Sequence, residues 1–325
     1  MSIEDQGIDE RELMAAVARR FYIEDRSKVE IATELKLSRF KVARLLDQAR
    51  SSGLVTITLD DAGLPDRELS ERLRRHLDLT ECLVVESAGD EADVRRQIGA
   101  AAATLLASSL HEGDVLGLAW GRTTAAMTAE LKSLPKISIV QLTGTVGGDL
   151  AESPVEIVRQ ASQRAGGTAK PIFAPFLLDD PVTTAALRRQ ADVAEVMDMF
   201  GSVTVAVVAV GSWDPPASRL REALSDVDRR SMEDQGTQAE VAAIFIDRDG
   251  RVVGQQLTDR CLSINATQLA AIPRVIAVAG GRAKARAVLA VARARLITSL
   301  ITDRALAEAV LDIPYDTEPI EVGEP

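Results

Sequence analysis

From about Leu64 onward, short β-type apolar runs alternate along the chain with longer stretches of helical periodicity. Such alternation is typical of βαβ units, in which consecutive strands lie parallel and helices cover the sheet. The pattern therefore predicts a mostly parallel, doubly wound α/β sheet. The predicted strands are Cys82–Val85, Val115–Trp120, Ile137–Leu142, Ala169–Phe173, Val203–Val210, Val241–Asp247, Val275–Ala279 and Leu296–Ile301. The main predicted helices are Asp66–Leu77, Asp93–Leu110, Thr124–Leu131, Ser153–Ala165, Thr183–Phe200, Ala283–Arg293 and Asp303–Leu311.

The first sixty residues have a different pattern, in which helix caps and helical spacing of apolar residues recur at short intervals. The predicted elements are a helix from the Asp9 capping box to Tyr22, a helix from Ser27 to Leu35, a helix from Arg39 to about Ser51, and a strand over Leu54–Leu59. Three helices with a tight turn before the third, followed by a strand, predict a winged helix-turn-helix. We therefore expect a mainly helical DNA-binding domain over residues 1–60 and an effector-binding and oligomerisation domain over residues 61–325.

Charge is spread unevenly along the 325 residues, whose formal net charge is −11. Residues 11–59 carry ten Lys and Arg against six Asp and Glu, whereas residues 60–325 carry 28 bases against 39 acids. A small basic module thus precedes a large acidic body. Since DNA binding depends on cations that neutralise phosphates, we expect the body to add little to DNA attraction.

Cysteine and histidine are too scarce for most metal and nucleophile chemistry. Cys82 and Cys261 lie in hydrophobic stretches, and neither they nor His76 and His111 stand at metal-ligand spacing. No apolar run reaches the roughly 18 residues of a spanning helix, and the first ten residues are acidic and polar. We therefore expect reduced thiols, no metal, no cofactor, no membrane partner and a cytoplasmic location.

The third helix carries the residues expected to contact DNA. In a helix-turn-helix, the N-terminal end of the second helix of the motif enters the major groove. Arginine pairs bidentately with guanine there, while lysine or a serine hydroxyl holds phosphate. Phe40 has two interpretations, contact with a thymine methyl or packing on the second helix. The predicted DNA-binding residues are Ser38, Arg39, Phe40, Lys41, Arg44 and Arg50, the last of these acting on phosphate.

Two glycine turns at predicted strand ends suggest an anion pocket in the body. One strand breaks at Gly121 into the hydroxyl-rich start of a helix, and another ends in Gly280 and Gly281, shortly before Lys284. Doubly wound sheets bind ligands outside the carboxyl ends of their strands, where helix N-termini present free N–H groups. A third strand ends near Gln141, whose side-chain amide can form hydrogen bonds with hydroxyl groups. Trp120 is either a wall of this pocket or part of the core.

In the order and spacing of these motifs, the chain resembles the SorC-type sugar-responsive transcriptional regulators of bacteria over nearly its whole length. The N-terminal residues that carry the resemblance are Glu30-Ile31-Ala32, Leu37-Ser38-Arg39, Val42, Arg44-Leu45-Leu46, Ala49-Arg50 and Gly53-Leu54-Val55. Those in the body are Gly121, Thr123, Thr124, Gln141-Leu142, Gly144, Gly280-Gly281, Lys284 and Leu300-Ile301-Thr302-Asp303. The resemblance implies a phosphosugar-isomerase-like body, a dimeric or tetrameric regulator, and contact of Glu240 with sugar hydroxyls. Three residues depart from the family pattern: Ala119, Thr145 and Ala239. These departures bear on which sugar is bound.

We therefore predict a transcriptional regulator whose binding to operator DNA is controlled by a sugar or sugar phosphate. The predicted effector-binding residues are Gly121, Arg122, Thr123, Thr124, Gln141, Gly144, Glu240, Gly280, Gly281 and Lys284. The alternative is a phosphosugar isomerase or deaminase-like enzyme with an added helical domain. The motifs offer Glu240 and Asp303 but no clear acid–base pair, so no catalytic residue is assigned. A purely structural or protein-interaction module would not need the cations of the third helix.

Overall fold

The structure, a computed structural model, describes residues 10–55, 63–145, 147 and 152–315. These residues form two compact units, one within residues 1–60 and the other within residues 61–325. In these described ranges, no helix combines the length and the apolar character needed to cross a membrane.

The N-terminal unit consists of helices packed around a small aliphatic core. The helices are α1 (Glu10–Tyr22), α2 (Lys28–Glu34) and α3 (Arg39–Ser51). The core residues are Val17, Ala18, Ile31, Ala32, Val42, Leu45, Leu46 and Ala49. Three helices with these bounds agree with the prediction for this region. The predicted strand Leu54–Leu59 lies mostly outside the described residues, and so does the Asp9 cap.

Side-chain caps determine where α2 and α3 begin. At α2, the backbone N–H of Ser27 donates to the Glu30 carboxylate at 2.8 Å, while the Ser27 hydroxyl accepts from the Glu30 N–H at 3.3 Å. At α3, the Ser38 hydroxyl accepts from the Lys41 N–H at 3.1 Å. Between the two helices, Lys36 has a φ of 53°, which reverses the chain within a few residues. The caps read from the sequence therefore start both helices.

The C-terminal unit is an α/β domain built on a mainly parallel sheet and a smaller antiparallel one. Its strands are β1 (Pro65–Asp66), β2 (Glu81–Val85), β3 (Val115–Leu118), β4 (Ser138–Gln141), β5 (Ala169–Lys170), β6 (Val205–Ser212), β7 (Thr237–Val241), β8 (Ile244–Asp247), β9 (Val252–Val253), β10 (Arg274–Val278) and β11 (Ser299–Asp303). Its helices are α4 (Arg67–His76), α5 (Glu91–Ser109), α6 (Arg122–Glu130), α7 (Pro154–Ala165), α8 (Pro181–Arg188), α9 (Ala191–Asp198), α10 (Arg219–Ala223), α11 (Asp226–Asp234), α12 (Gln255–Thr258), α13 (Ala266–Ala270), α14 (Ala285–Arg293) and α15 (Arg304–Leu311).

The main sheet has the strand order β1-β2-β11-β10-β6-β3-β4-β5. Neighbours from β2 to β5 pair in parallel, and only the edge strand β1 in this path pairs antiparallel. In this path, β4 follows β3 on one side of it. The next strand of the path after β6 is β10, which lies on the opposite side of β6 from β3. The strand order thus reverses between β3 and β6, as the predicted doubly wound arrangement requires.

The carboxyl end of β6 extends beyond the main sheet and begins a second, antiparallel one. Val205–Ala209 pair with β10, whereas Val210, Gly211 and Ser212 pair with β7. Strand β7 continues into β8 and β9 by antiparallel pairing. This small sheet lies at the carboxyl edge of the main one and brings residues of β7 to that edge.

Two predicted elements differ in kind from the structure, and the strand predicted over Ala169–Phe173 is shorter, ending at Lys170. The strand predicted over Val241–Asp247 is instead a hairpin, since Ala242 and Ala243 have φ values of 50° and 66° and form a two-residue turn. Such turns usually carry Asn or Gly, so two alanines gave no signal.

The helix predicted over Thr183–Phe200 is also interrupted. It divides into α8, α9 and a final 3₁₀ turn. Arg188 at the end of α8 donates to the carbonyl of Cys261 at 2.8 Å, while Val193, Val196 and Phe200 are buried in the core. The two halves therefore satisfy different tertiary contacts, which override the continuous helical pattern.

The two units should unfold as separate transitions. Leu45→Ala empties part of the small core of the N-terminal unit and should destabilise it by about 2–5 kcal/mol. Such a loss is enough to unfold a unit of this size. Far-UV circular dichroism melts would show a lost early transition and an unchanged transition for the body. Ile23→Ala, at a side chain 79% exposed, is the matched control and should change neither transition. A single transition lowered as a whole by Leu45→Ala would contradict independent unfolding.

Candidate functional site

A cavity of about 290 Å³ lies at the point where the strand order reverses. Its walls come from the chain after β2, β3 and β10, from the end of β6, and from the small antiparallel sheet. This is the edge where parallel α/β sheets bind ligands, because the first turns of the following helices face it.

Close backbone approach around the cavity depends on glycine. A Cβ on Gly121 would lie 2.4 Å from the Cβ of Ala209, so glycine there lets the start of α6 approach β6. Gly281 has a φ of 90°, a left-handed conformation, and its N–H donates to the carboxylate of buried Asp303 at 2.8 Å. Asp303 thereby holds the loop that follows β10.

The lining of the cavity carries a small excess of positive charge. Arg95 and Arg122 both line the cavity and share one carboxylate partner, Glu91, with an Arg122–Glu91 distance of 3.7 Å. Gly121, Arg122 and Thr123 form the start of α6 on the same wall. Over the whole lining, the basic side chains Arg95, Arg122, Arg219 and Lys284 outnumber the carboxylates Asp90, Glu91 and Glu240 by one. Together with the positive end of the helix dipole at α6, this excess makes the cavity suited to an anion.

The buried carboxylate of Glu240 occupies another part of the wall. It accepts hydrogen bonds from the indole N–H of Trp213 and from the Ser218 hydroxyl, the latter at 2.5 Å. Gly211 pairs with Glu240 across β6 and β7, and a Cβ there would lie 1.9 Å from Oε1. Burial raises the pKa of Glu240, while the two hydrogen bonds and the charge of Lys284 oppose this rise.

Lys284 interacts electrostatically with Glu240 on the cavity wall. Its ammonium group donates to the carbonyl of Val210 at 2.6 Å. Burial lowers the pKa of Lys284 from its usual 10.5 to about 8; the Glu240 charge opposes this shift and the Arg122 charge adds to it. At neutral pH, Lys284 is thus a mainly charged group that loses its proton under mildly basic conditions.

Seven of the ten predicted effector residues line this cavity: Gly121, Arg122, Thr123, Glu240, Gly280, Gly281 and Lys284. Thr124, Gln141 and Gly144 do not. The Gln141 amide donates to the carbonyl of Thr143 at 2.6 Å and accepts from the N–H of Ile172 at 3.2 Å, so it is used within the fold. A Cβ on Gly144 would lie 2.7 Å from the Cα of Phe176, which makes this glycine a packing requirement. Thr124 is fully buried in α6.

Thr143 is a cavity residue that the sequence analysis missed. The residue lines the cavity, is only 2% exposed, and its buried hydroxyl oxygen has no hydrogen-bond partner among the described residues. A buried hydroxyl without a partner is costly unless a ligand or other polar group meets it. Its place just after β4 was a signal that could have identified it. Arg95 and Arg219 also line the cavity but had no comparable signal, because they lie far from the glycine turns in sequence.

Trp120 lines the cavity and also packs against the core, so the two interpretations of this residue are both correct in part.

Burial raises the pKa of the Cys82 and Cys261 thiols to about 12, so both remain protonated at neutral pH. Within the described ranges, no group of three or more His, Cys, Asp or Glu residues is arranged to hold a metal ion.

The six predicted DNA-binding residues lie on α3 or at its start. Arg39, Arg44 and Arg50 are exposed, Lys41 is half-buried, and the Ser38 hydroxyl caps the helix. Arg50 pairs with Asp47 at 2.6 Å. Phe40 is 88% exposed, so the alternative that it packs on the second helix is wrong.

The contact between Gly211 and Glu240 should be essential for the shape of the cavity. Gly211→Ala places a methyl group against the Glu240 carboxylate and should destabilise the body by about 1–3 kcal/mol through overpacking. Gly201→Ala is the matched control, because a Cβ there meets nothing within 4 Å. Thermal denaturation of both variants tests this expectation. Equal melting temperatures for the two variants would show that Glu240 adjusts without cost.

Comparison with known proteins relates this architecture to transcriptional regulators. A family model described as "Putative sugar-binding domain" matches residues 64–312. The sorbitol operon regulator of Klebsiella pneumoniae is 26% identical over 320 residues, which cover 93% of this chain and 98% of the relative. The transcriptional regulator LsrR of Escherichia coli K12 is 27% identical, covering 95% of this chain and 98% of the relative.

The fold is also similar to a solved structure. The crystal structure of the full-length sorbitol operon regulator SorC from K. pneumoniae matches with a TM-score of 0.70 and 24% sequence identity, over 94% of this chain and 100% of that chain. The family model spans the whole α/β unit that holds the cavity, and the relatives match both units. The chain therefore belongs to the SorC-type family of sugar-responsive transcriptional regulators.

Proposed function

We propose that a sugar phosphate binds in the cavity and that its presence controls the binding of the N-terminal unit to operator DNA. The observation that carries this proposal is the charge arrangement of the cavity. The lining includes four basic side chains (Arg95, Arg122, Arg219 and Lys284) and three carboxylates (Asp90, Glu91 and Glu240), which leaves one formal positive charge for an anionic group, and Arg122 stands at the start of α6. A phosphate there would accept from the backbone N–H groups of the first turn and from the Thr123 hydroxyl.

The rest of the cavity suits the sugar itself. Lys284, Glu240 and Thr143 provide donors and acceptors for hydroxyl groups, while Trp120 provides an apolar surface for a sugar ring. An unphosphorylated sugar would use this second part alone, and would then depend on Glu240 more than on the arginines. The parallel α/β sheet with a cavity at the reversal of strand order supports the phosphosugar-isomerase-like arrangement that the sequence resemblance implies.

The enzyme alternative has less support from the geometry. Both oxygens of Glu240 accept hydrogen bonds, from Trp213 and Ser218, and Asp303 accepts from the N–H of Gly281. An isomerase needs a carboxylate or histidine beside the substrate carbon, able to exchange a proton. Both candidate carboxylates instead hold parts of the fold in position, which supports a binding site without catalysis.

The N-terminal unit would act as a winged helix-turn-helix on operator DNA in the cytoplasm. One small basic unit supplies few phosphate contacts, so tight binding requires two half-sites and an oligomer, a homodimer or homotetramer. The acidic body would hold the subunits together and bind the effector. The two compact units support this division of tasks.

The decisive experiment measures DNA binding and its response to effectors together. Full-length protein would first be used to select DNA from a random-sequence pool, and fluorescence anisotropy would then follow binding to the selected fragment. Matched pairs of sugars and sugar phosphates, such as glucose and glucose 6-phosphate or fructose and fructose 6-phosphate, would be added in turn. We expect a sugar phosphate to change DNA affinity and its unphosphorylated partner to have a smaller effect. Turnover of a sugar phosphate without any selected DNA would favour the enzyme.

Lys284 should make effector binding dependent on pH. Between pH 7.5 and 9.5, wild-type affinity for the active sugar phosphate should fall, because Lys284 loses its proton near pH 8. Lys284→Met should bind more weakly at pH 7.5 and show no such fall. Isothermal titration calorimetry across this range measures both. An equal fall of effector affinity in the wild type and in Lys284→Met would show that another group titrates.

The same shift predicts the pH dependence of stability without ligand. The pKa of Lys284 is about 8 in the folded protein and near 10.5 in the unfolded chain. At pH values between these two pKa values, Lys284 therefore binds more protons in the unfolded chain than in the folded protein. The free energy of unfolding of the wild type should therefore rise across this interval relative to that of Lys284→Met.

Thr143 should bind the effector through its hydroxyl. Thr143→Val keeps the shape of the side chain and removes that group, so affinity for the effector should fall about two- to tenfold while the ligand-free protein melts no lower. Thr302→Val is the matched control: Thr302 also has a buried hydroxyl without a partner among the described residues, but it does not line the cavity. Equal effector affinities in the two variants would remove Thr143 from the site.

A further inference from the structure

Phe40 is an exposed aromatic side chain on the surface of a helix. At 88%, its exposed fraction is the highest among the large hydrophobic residues described in either unit. The residue stands in the first turn of α3, directly after Arg39, and contributes nothing to the core of the N-terminal unit. A side chain of this size gains free energy only when another surface covers it.

The position of Phe40 around α3 shows in which direction its side chain projects. At about 100° per residue, Phe40 lies about 160° from Val42, whereas Leu45, Leu46 and Ala49 lie within about 60° of Val42. Phe40 therefore projects almost directly away from the core. Arg44, one turn later, lies within about 40° of the same direction. Arg39, by contrast, lies about 60° from Val42 and flanks the buried stripe.

The chemistry around Phe40 favours a DNA partner over a protein one. Exposed Arg44 follows the ring one turn later on nearly the same face of α3, exposed Arg39 precedes it in the sequence, and the Ser38 cap leaves the first turn of the helix at the surface. Such an end of a helix enters the major groove when its neighbours neutralise phosphates. The apolar group that the major groove presents is the C5-methyl of thymine, and phenylalanine is among the side chains that contact it.

We propose that Phe40 reads a thymine in each operator half-site by packing its ring against the thymine methyl. This inference rests on the proposed DNA-binding function and adds a base preference to it. Arg44 would bind the same stretch of DNA one helical turn further along, since it projects in nearly the same direction. The methyl contact selects an A·T pair in a position where arginine would select guanine.

Removal of the methyl group alone provides the test. Each thymine of the selected DNA would be replaced singly by deoxyuridine, which lacks only the C5-methyl, and binding of the full-length protein would be measured by fluorescence anisotropy. Wild type should bind about fourfold more weakly when the critical thymine is replaced, the effect of one buried methyl-sized group. Phe40→Ala should bind the thymine and deoxyuridine fragments equally. Ile23→Ala, which removes another exposed apolar side chain, one that is not part of α3, should keep the wild-type discrimination.

Several results would overturn the inference while leaving the proposed function intact. One is operator binding by the wild type that no single deoxyuridine weakens. Another is a Phe40→Ala variant that still discriminates between the two bases. A third is a change in the sedimenting mass of Phe40→Ala, because this would place Phe40 between protein subunits. If random-sequence selection enriches no DNA at all, the proposed function itself fails, and the thymine contact with it.

Discussion

Strand β6 belongs to two sheets at once, and this sharing determines where the residues of the cavity lie. Its first five residues pair in parallel with β10, and its last three pair antiparallel with β7. The parallel part places β6 at the reversal of strand order, where a cavity opens. The antiparallel part carries Glu240 back over that cavity. A shorter β6 would leave the same parallel sheet without Glu240 at its edge.

The buried polar groups of the site are held mainly by one another and by the backbone. Glu240 is bonded to Trp213 and Ser218, and Lys284 donates to the carbonyl of Val210. Charges removed from water need such partners, because a buried charge without hydrogen bonds is strongly destabilising. The hydroxyl of Thr143 lacks this support among the described residues. A cavity wall that combines satisfied charges with such a hydroxyl supports the proposal that a polar ligand binds there.

Local patterns predicted the elements whose signals lie within a few residues of each other. The caps at Ser27 and Ser38, and the alternation of strands and helices, depend on neighbouring residues and therefore agree with the structure. The turn at Ala242 and Ala243 was missed because its conformation is imposed by the pairing of β7 with β8 rather than by turn-forming residues. The helix that divides after Arg188 was predicted as continuous because its helical periodicity does not reveal which distant segment each half contacts.

For the site, the sequence by itself determined the glycine turns, the helix starts and the charged residues beside them, because these follow directly from strand-to-helix connections. Only the tertiary structure decided that Gln141 supports the fold while Thr143 is among the residues that line the cavity, and that Phe40 projects away from its own core. The reason is physical. A side chain that can bind a ligand can equally bind a backbone group, and the choice depends on which atoms the folded chain brings within hydrogen-bonding distance.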